Sequence, residues 1–183
     1  MKGFKVRKAA QVAAYFALAE GGRINVLKLI KLIYLADRRF MEKYDTPILN
    51  DCLVSMDHGP VNSMTLNYVN GLEDQRDDWD EFITDRDRHS VGLTSSKISV
   101  DNLDELSVAE IKVLEEIAKR FERWNGYMVR DYTHNNCPEW ENPHGSSNPI
   151  PYERVLKFLH KKNSAELAEN IQTEIELDGL LTA

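Results

Sequence analysis

The sequence predicts a mostly α fold, an α-rich helical bundle with a small β element (α+β). Apolar residues recur at helical spacing along most of the chain, and only a few short runs favour extended structure. A chain of 183 residues can bury a sizeable core, and 42% hydrophobic with 29% charged residues is ordinary for a soluble globular protein. We therefore expect a single domain over residues 1–183.

Two helices are predicted in the first 44 residues. Small apolar side chains form one face of the first helix, which covers about 7–20 and is ended by Gly21-Gly22. Asn25 is a typical N-cap for the second helix, which runs to about Tyr44 and is apolar nearly all round in its first half. A helix of this kind lies at the centre of a fold, with other elements packed on more than one side.

The N-terminus also resembles a secretory signal, because a basic start precedes an apolar stretch. Gln11 and Tyr15 interrupt this stretch and no cleavage site follows it, so we interpret it as a helix of a cytoplasmic protein. No run of apolar residues is long enough for a membrane span, and we expect no membrane partner.

Asp37 interrupts the apolar stripe of the second helix. It lies at helical spacing between Ile33 and Phe40, so its carboxylate should be at least partly buried. An unpaired buried carboxylate would be costly, and we expect a cation or several N–H donors beside it. The favoured interpretation is a structural interaction, and a catalytic carboxylate is the alternative.

The stretch SMDHGPVNSM, residues 55–64, predicts a turn that leads from a short extended run into a helix. Pro60 suits the first position of a helix, Gly59 supplies flexibility before it, and Asp57 can accept hydrogen bonds from the free N–H groups there. This interpretation leaves His58 without a structural role, although a histidine at such a place is usually a turn residue.

Residues 73–106 form an acidic segment without helical periodicity. Eight acidic residues stand against three arginines in 73–89. Two short strands, 81–85 and 90–94, could form a β hairpin around a polar turn, and a mobile insertion is the alternative. We expect this segment to be the variable part of the domain.

Four more helices are predicted in the C-terminal part. Ser107 and Glu110 form a capping-box signature at the start of a helix that ends near Asn125-Gly126. Its inward-facing residues are predicted to be Val108, Ile111, Leu114, Ile117, Ala118 and Phe121. A shorter helix over about 127–134 precedes a Pro-rich loop, and helices over about 152–160 and 165–177 follow.

Charge is distributed unevenly although the net charge is −7. Residues 1–39 carry nine basic and two acidic side chains, whereas 73–89 are acidic. Such a dipole can steer an oppositely charged partner, or the two regions can face each other within the fold. The acidic balance disfavours nucleic acid as a partner.

The sequence contains no assembled catalytic or metal-binding motif. There is no GxSxG elbow, Walker loop, GxGxxG or HExxH, and Cys52 and Cys137 lack the spacing of a zinc site or a disulfide framework. We therefore expect no enzyme, no cofactor and no metal. The alternative is a metal-dependent hydrolase that uses scattered residues, namely Asp37, Asp57, His58 and His134.

Two tryptophans in polar surroundings are candidates for partner binding. Trp79 lies in the acidic segment and Trp140 in the Pro-rich loop, and tryptophan is enriched at binding hot spots. Each could instead be a loop anchor that packs into the core. With His58 and His134 they form our set of candidate partner-binding residues.

The stretch VLKLIKLIYLADRRFMEKYDTPILNDCLVSMDHGPVNSMTLNYV resembles the Panacea domain family, the SocA-like antitoxins of bacterial and phage type II toxin–antitoxin systems. The matching positions are Lys28, Leu29, Lys31, Leu32, Tyr34, Leu35, Ala36 and Asp37 in the helix, then Pro47, then Gly59, Pro60 and Val61. Thr133, His134 and Trp140 match later family positions more loosely. The resemblance covers about 10–70 and 107–160.

The resemblance implies a mostly helical antitoxin that binds a toxin protein encoded by a neighbouring gene. In the SocA-like branch it also implies delivery of the toxin to a Clp-type protease. A phage- or prophage-encoded protein that binds a host factor is an alternative of the same kind. The sequence leaves open whether the chain forms a homo-oligomer.

Overall fold

The computed structural model describes residues 3–181 of the chain. Among these residues it has eight α-helices and two small antiparallel sheets. The elements in chain order are α1 Val6–Ala19, β1 Arg23–Asn25, α2 Val26–Tyr44, β2 Leu53–Met56, β3 Gly59–Asn62, α3 Ser63–Asn70, α4 Asp77–Asp80, β4 Ser90–Gly92, α5 Val108–Phe121, α6 Gly126–Asn136, β5 Asn148–Pro149, α7 Tyr152–Phe158 and α8 Ser164–Leu181. A short 3₁₀ helix spans Val100–Asn102. The predicted mostly α fold with a small β part is confirmed.

Helix α2 lies at the centre of the fold. It packs against α1, α5, α6 and β3, because its apolar residues cover more than one face. The predicted N-cap is confirmed, since Asn25 Oδ1 accepts a hydrogen bond from Lys28 N at 3.2 Å. The helix ends at Asp45, which has a left-handed φ of 63°.

The stretch 55–64 forms a β hairpin. Strand β3 pairs with β2 from Leu53↔Asn62 to Met56↔Gly59, so Asp57 and His58 form a two-residue turn at its tip. On the other side β2 pairs with the short strand β5, which gives the sheet order β3-β2-β5.

The predicted helix start at Pro60 is therefore wrong. Pro60 lies in β3, and α3 begins three residues later at Ser63. The predicted capping role of Asp57 is also wrong, because Asp51 accepts from Met64 N and Thr65 N, each at 2.9 Å. The local sequence around Pro60 is compatible with a helix start and with a strand, and the pairing with β2 selects the strand.

The acidic segment 73–106 packs against the basic N-terminal region. Only the second of its two predicted strands forms, as β4, and it pairs with β1 rather than with 81–85, which contribute only the isolated bridge Ile83↔Leu93. Arg7 pairs with Glu81, and Arg23 Nη2 lies 2.7 Å from Asp87 Oδ2. The two oppositely charged regions thus face each other within the fold.

The capping box of α5 is confirmed by hydrogen bonds in both directions between Ser107 and Glu110. Val108 was predicted to face inward but is 70% exposed. It lies about 2.5 turns from buried Ile117, since a helix has about 3.6 residues per turn, and therefore on the opposite face.

Gly59 tests how tightly the hairpin packs on α6. Its φ is +95°, and a Cβ added there would lie 2.8 Å from Thr133 Oγ1. We expect Gly59→Ala to lower the free energy of unfolding by about 2–4 kcal/mol, from backbone strain and overpacking, as measured by urea denaturation. Gly21→Ala is the control, because Gly21 also has a positive φ of +79° but has open space around its Cβ position. It should cost about 1 kcal/mol, and equal losses at both positions would contradict the packing argument.

Candidate functional site

The loop that follows α6 fixes the tip of the hairpin. Trp140 Nε1 donates to Met56 O at 2.8 Å, and Glu141 N donates to Ser55 Oγ at 3.2 Å. Gly145 N donates to Asp57 Oδ1 at 2.9 Å. Three hydrogen bonds from one loop thus hold the β2–β3 turn in a defined position.

His134 and Trp140 stack on each other beside this turn. Their ring centroids are 4.2 Å apart and their planes differ by 8°. Both side chains are half-buried, whereas His58 at the turn is exposed. The structure therefore brings together three of the four predicted partner-binding residues. We call the surface formed by Met56, His58, His134 and Trp140 the tip surface.

Trp79 does not belong to the tip surface. Its side chain is 0% exposed and stacks on Tyr68, with ring centroids 5.6 Å apart. It anchors the segment 73–106 to the core, as the alternative interpretation of the sequence had it, because burial of a large aromatic ring outweighs exposure in a polar segment.

Lys31 lies buried beneath the hairpin. It is 0% exposed, and its Nζ donates to Pro60 O at 2.8 Å. Burial lowers the pKa of Lys31 to about 7, and the positive charge of Arg130 acts in the same direction while Cys137 opposes it. Burial also lowers the pKa of His134, and the charge of Lys31 adds to this effect.

Glu139 joins α2 to the loop after α6. Its carboxylate is buried and accepts from Tyr34 Oη and from Arg38 Nε, both at 2.7 Å. Tyr34 and Arg38 lie one turn apart on α2, so this face of the helix is polar although it is buried. Glu139 was not among the predicted site residues. The available signal was Tyr34 and Arg38, two polar side chains one turn apart on a helix predicted to be central, which favour a carboxylate opposite them.

Asp37 holds the open end of the hairpin. Its carboxylate accepts from Ile48 N at 2.5 Å, Leu49 N at 3.2 Å and Asn62 Nδ2 at 2.7 Å. The expectation of several N–H donors around a buried carboxylate is confirmed. Burial raises the pKa of Asp37 to about 6, and its hydrogen bonds oppose this shift.

The residues of the hydrolase hypothesis are distributed along the hairpin. Asp37 contacts Asn62 at the open end, whereas Asp57 and His58 lie at the tip. From Gly59 to Asn62 the strand extends about 10 Å, since a strand rises ~3.3 Å per residue. Within residues 3–181 no three His, Cys, Asp or Glu side chains lie close enough together to hold a metal ion. Asp37 and His58 therefore do not converge on one pocket.

In the described part of the chain, no helix is long and apolar enough to cross a membrane.

One family model matches the chain, over residues 29–141, which is more than half of its length; the model is described as antitoxin SocA-like, Panacea domain. The match begins in the first turn of α2 and includes the rest of that helix, the hairpin, α6 and the loop up to Glu141. No curated protein and no solved structure matches the chain.

The pKa of Asp37 predicts a dependence of stability on pH. An ordinary aspartate value is 3.8, so the folded chain holds this proton more tightly than the unfolded chain. The resulting stabilisation is present at low pH and is lost as the pH rises through about 6. Asp37→Asn should thus become progressively more stable relative to the wild type between about pH 4 and 6, with a constant difference above that range.

Urea denaturation of the wild type and of Asp37→Asn across this pH range measures the difference between their free energies of unfolding. The other titrating groups are the same in both proteins, so their contributions cancel in this difference. Asparagine keeps Oδ1 for Ile48 N, and Asn62 has an unpartnered Oδ1 that can turn toward the new amide. Asp74→Asn is the control, because it removes one negative charge at an exposed position. A difference that does not change with pH would show that Asp37 is ionised throughout.

Proposed function

The chain belongs to the Panacea domain family of SocA-like antitoxins, and from this premise we propose that it neutralises a cognate toxin, encoded by a neighbouring gene, by direct protein–protein binding. The observation that carries the proposal is the family match, which includes most of the central helix and the elements of the tip surface. The toxin would be bound through exposed side chains on a rigid helical scaffold, without chemistry.

The tip surface is our proposed contact region. Three hydrogen bonds, one to the carbonyl of Met56 and two to the side chains of Ser55 and Asp57, hold the turn before any partner arrives, so little conformational entropy would be lost on binding. It also presents the half-buried Trp140, which donates to Met56 O, and the exposed His58 two residues after Met56. Partly exposed aromatic anchors on a fixed backbone are typical of binding hot spots.

The segment 73–106 is our proposed site of specificity. Buried Trp79 anchors it to the core, and Glu81 pairs with Arg7 at the surface. Its outer surface is left to acidic side chains such as Asp77 and Asp78, which are exposed. A scaffold that meets unlike toxins can change such residues at little cost in stability.

We also propose that the protein delivers the bound toxin to a Clp-type protease. The support for this delivery is the family membership alone. The half-life of the toxin in cells with and without the protease, in the presence of this protein, measures it directly.

Co-expression with the neighbouring gene tests the proposed function. Expression of the neighbour alone should stop colony formation, and this protein should restore it and co-purify with the neighbour's product. Growth rescue without a complex would contradict direct binding. A neighbour that is harmless alone, with no complex formed, would contradict the antitoxin function.

Replacement of His58 tests the tip surface. His58→Ala should weaken toxin binding by about tenfold, measured by calorimetry, because the side chain is exposed and would be lost from the centre of the contact. Its free energy of unfolding should stay unchanged, since the exposed side chain packs against nothing in the core.

Two other histidines provide matched comparisons. His160→Asn replaces an exposed histidine at a left-handed position that asparagine tolerates, and it should leave affinity unchanged. His89→Ala reports on the segment 73–106. A loss with His89→Ala but none with His58→Ala would move the main contact from the tip surface to that segment.

A further inference from the structure

An open groove runs along α8 on the side that faces the three-stranded sheet. Its volume is about 1060 Å³, and Val54 of β2 and Pro149 of β5 form the wall opposite α8. The helix contributes residues from Ala165 to Leu180. This stripe is about 22 Å long, since a helix rises ~1.5 Å per residue, and it therefore fits an elongated occupant rather than a compact small molecule.

The groove combines an apolar floor with an acidic rim. Leu53, Ile150, Ala168 and Ile175 line its interior, and Leu180 at one end is 68% exposed. The acidic residues at the edge are Glu153, Glu169 and Glu176. Among residues 3–181 none of these three carboxylates lies in an ion pair, and Glu176 accepts only from Gln172 Nε2 at 3.0 Å.

The charge of α8 is entirely of one sign. Between Ser164 and Leu181 the helix has no basic residue and five acidic ones, namely Glu166, Glu169, Glu174, Glu176 and Asp178. An occupant without positive charge would leave the rim carboxylates repelling each other and any acidic group near them. The complementary partner has apolar side chains on one face and Lys or Arg beside them.

The sheet wall favours a helix over an added strand. Pro149 and Pro151 line this edge, and proline has no N–H to donate to a neighbouring strand. A helix satisfies its own backbone hydrogen bonds and needs only a groove for its apolar face.

We infer that this groove binds a basic amphipathic helix of the toxin. The inference rests on the proposed function and names a second contact beside the tip surface. The two are continuous, because Val54 in the groove and Met56 at the tip are two residues apart on β2 and therefore point to the same face. One toxin could thus cover the tip surface and place a helix along α8.

Charge reversal at the rim tests the inference against a matched control on the same helix. The rim variant is Glu169→Lys with Glu176→Lys; the control is Glu166→Lys with Glu174→Lys, two residues of α8 that do not line the groove. Both variants change the net charge equally. We expect the rim variant to bind the toxin at least about tenfold more weakly and the control to stay within about threefold of the wild type.

A second pair of matched variants tests the apolar part of the groove. Leu180→Asp places a charge in the groove, whereas Leu177→Asp places it at a position of the same helix that is 55% exposed and outside the groove. Only Leu180→Asp should weaken binding. A fluorophore on Cys52, which is exposed and lines the groove while Cys137 is buried, should change its emission when the toxin binds.

The outcomes separate this inference from the proposed function. If the wild type binds the toxin and the rim variant binds it equally well, the groove is not its contact and only the inference fails. If the wild type binds no toxin, the proposed function fails, and an amphipathic Leu/Lys peptide of 18 residues then probes the groove alone. Equal binding of this peptide to the rim variant and the control would overturn the inference. A dimer of this chain that the rim variant abolishes would overturn it as well.

Discussion

The burial of α2 on several faces is the constraint on which the rest of the structure depends. Because other elements surround this helix, each of its buried polar side chains must find a partner inside the protein. Lys31 donates to Pro60 O, Asp37 accepts from Ile48 N and Asn62 Nδ2, and Tyr34 and Arg38 bind Glu139. These contacts fix the hairpin at both ends and join the loop after α6 to the same helix. The polar groups of α2 thus determine where the apparently separate pieces of the site lie.

The sequence predicted those features whose signals lie within one segment. The N-cap Asn25 and the capping box of Ser107 and Glu110 depend on residues at most three apart, and both are confirmed. The buried carboxylate of Asp37 was predicted from periodicity, together with its need for N–H donors. Pro60 shows the limit, because its fixed φ suits a helix start and an extended strand equally well. The choice was made by pairing with β2 and by the hydrogen bond that the buried Lys31 Nζ donates to Pro60 O.

The candidate site could be predicted only in part for the same reason. His58, His134 and Trp140 were selected as single residues, and nothing in their spacing indicates that Trp140 Nε1 reaches Met56 O across the fold. The role of Trp79 was ambiguous, since a tryptophan in an acidic segment can bind a partner or pack into the core. Only the ring of Tyr68, on which it stacks, shows that it packs into the core. The groove left no local signal, because one wall comes from β2 and β5 and the other from α8.

The division between buried and exposed polar groups suggests how one scaffold can serve different partners. Glu139, Asp37 and Lys31 each link α2 to another part of the fold through buried contacts, so a change at any of them leaves an uncompensated polar group and disturbs the hairpin or the loop beside it. His58 at the tip and Glu169 on α8 are exposed and take no part in that network. Substitutions there alter the shape and charge presented to a partner at little cost in stability. The interior thus preserves the geometry of the tip surface and the groove, while the exposed residues on both stay free to vary.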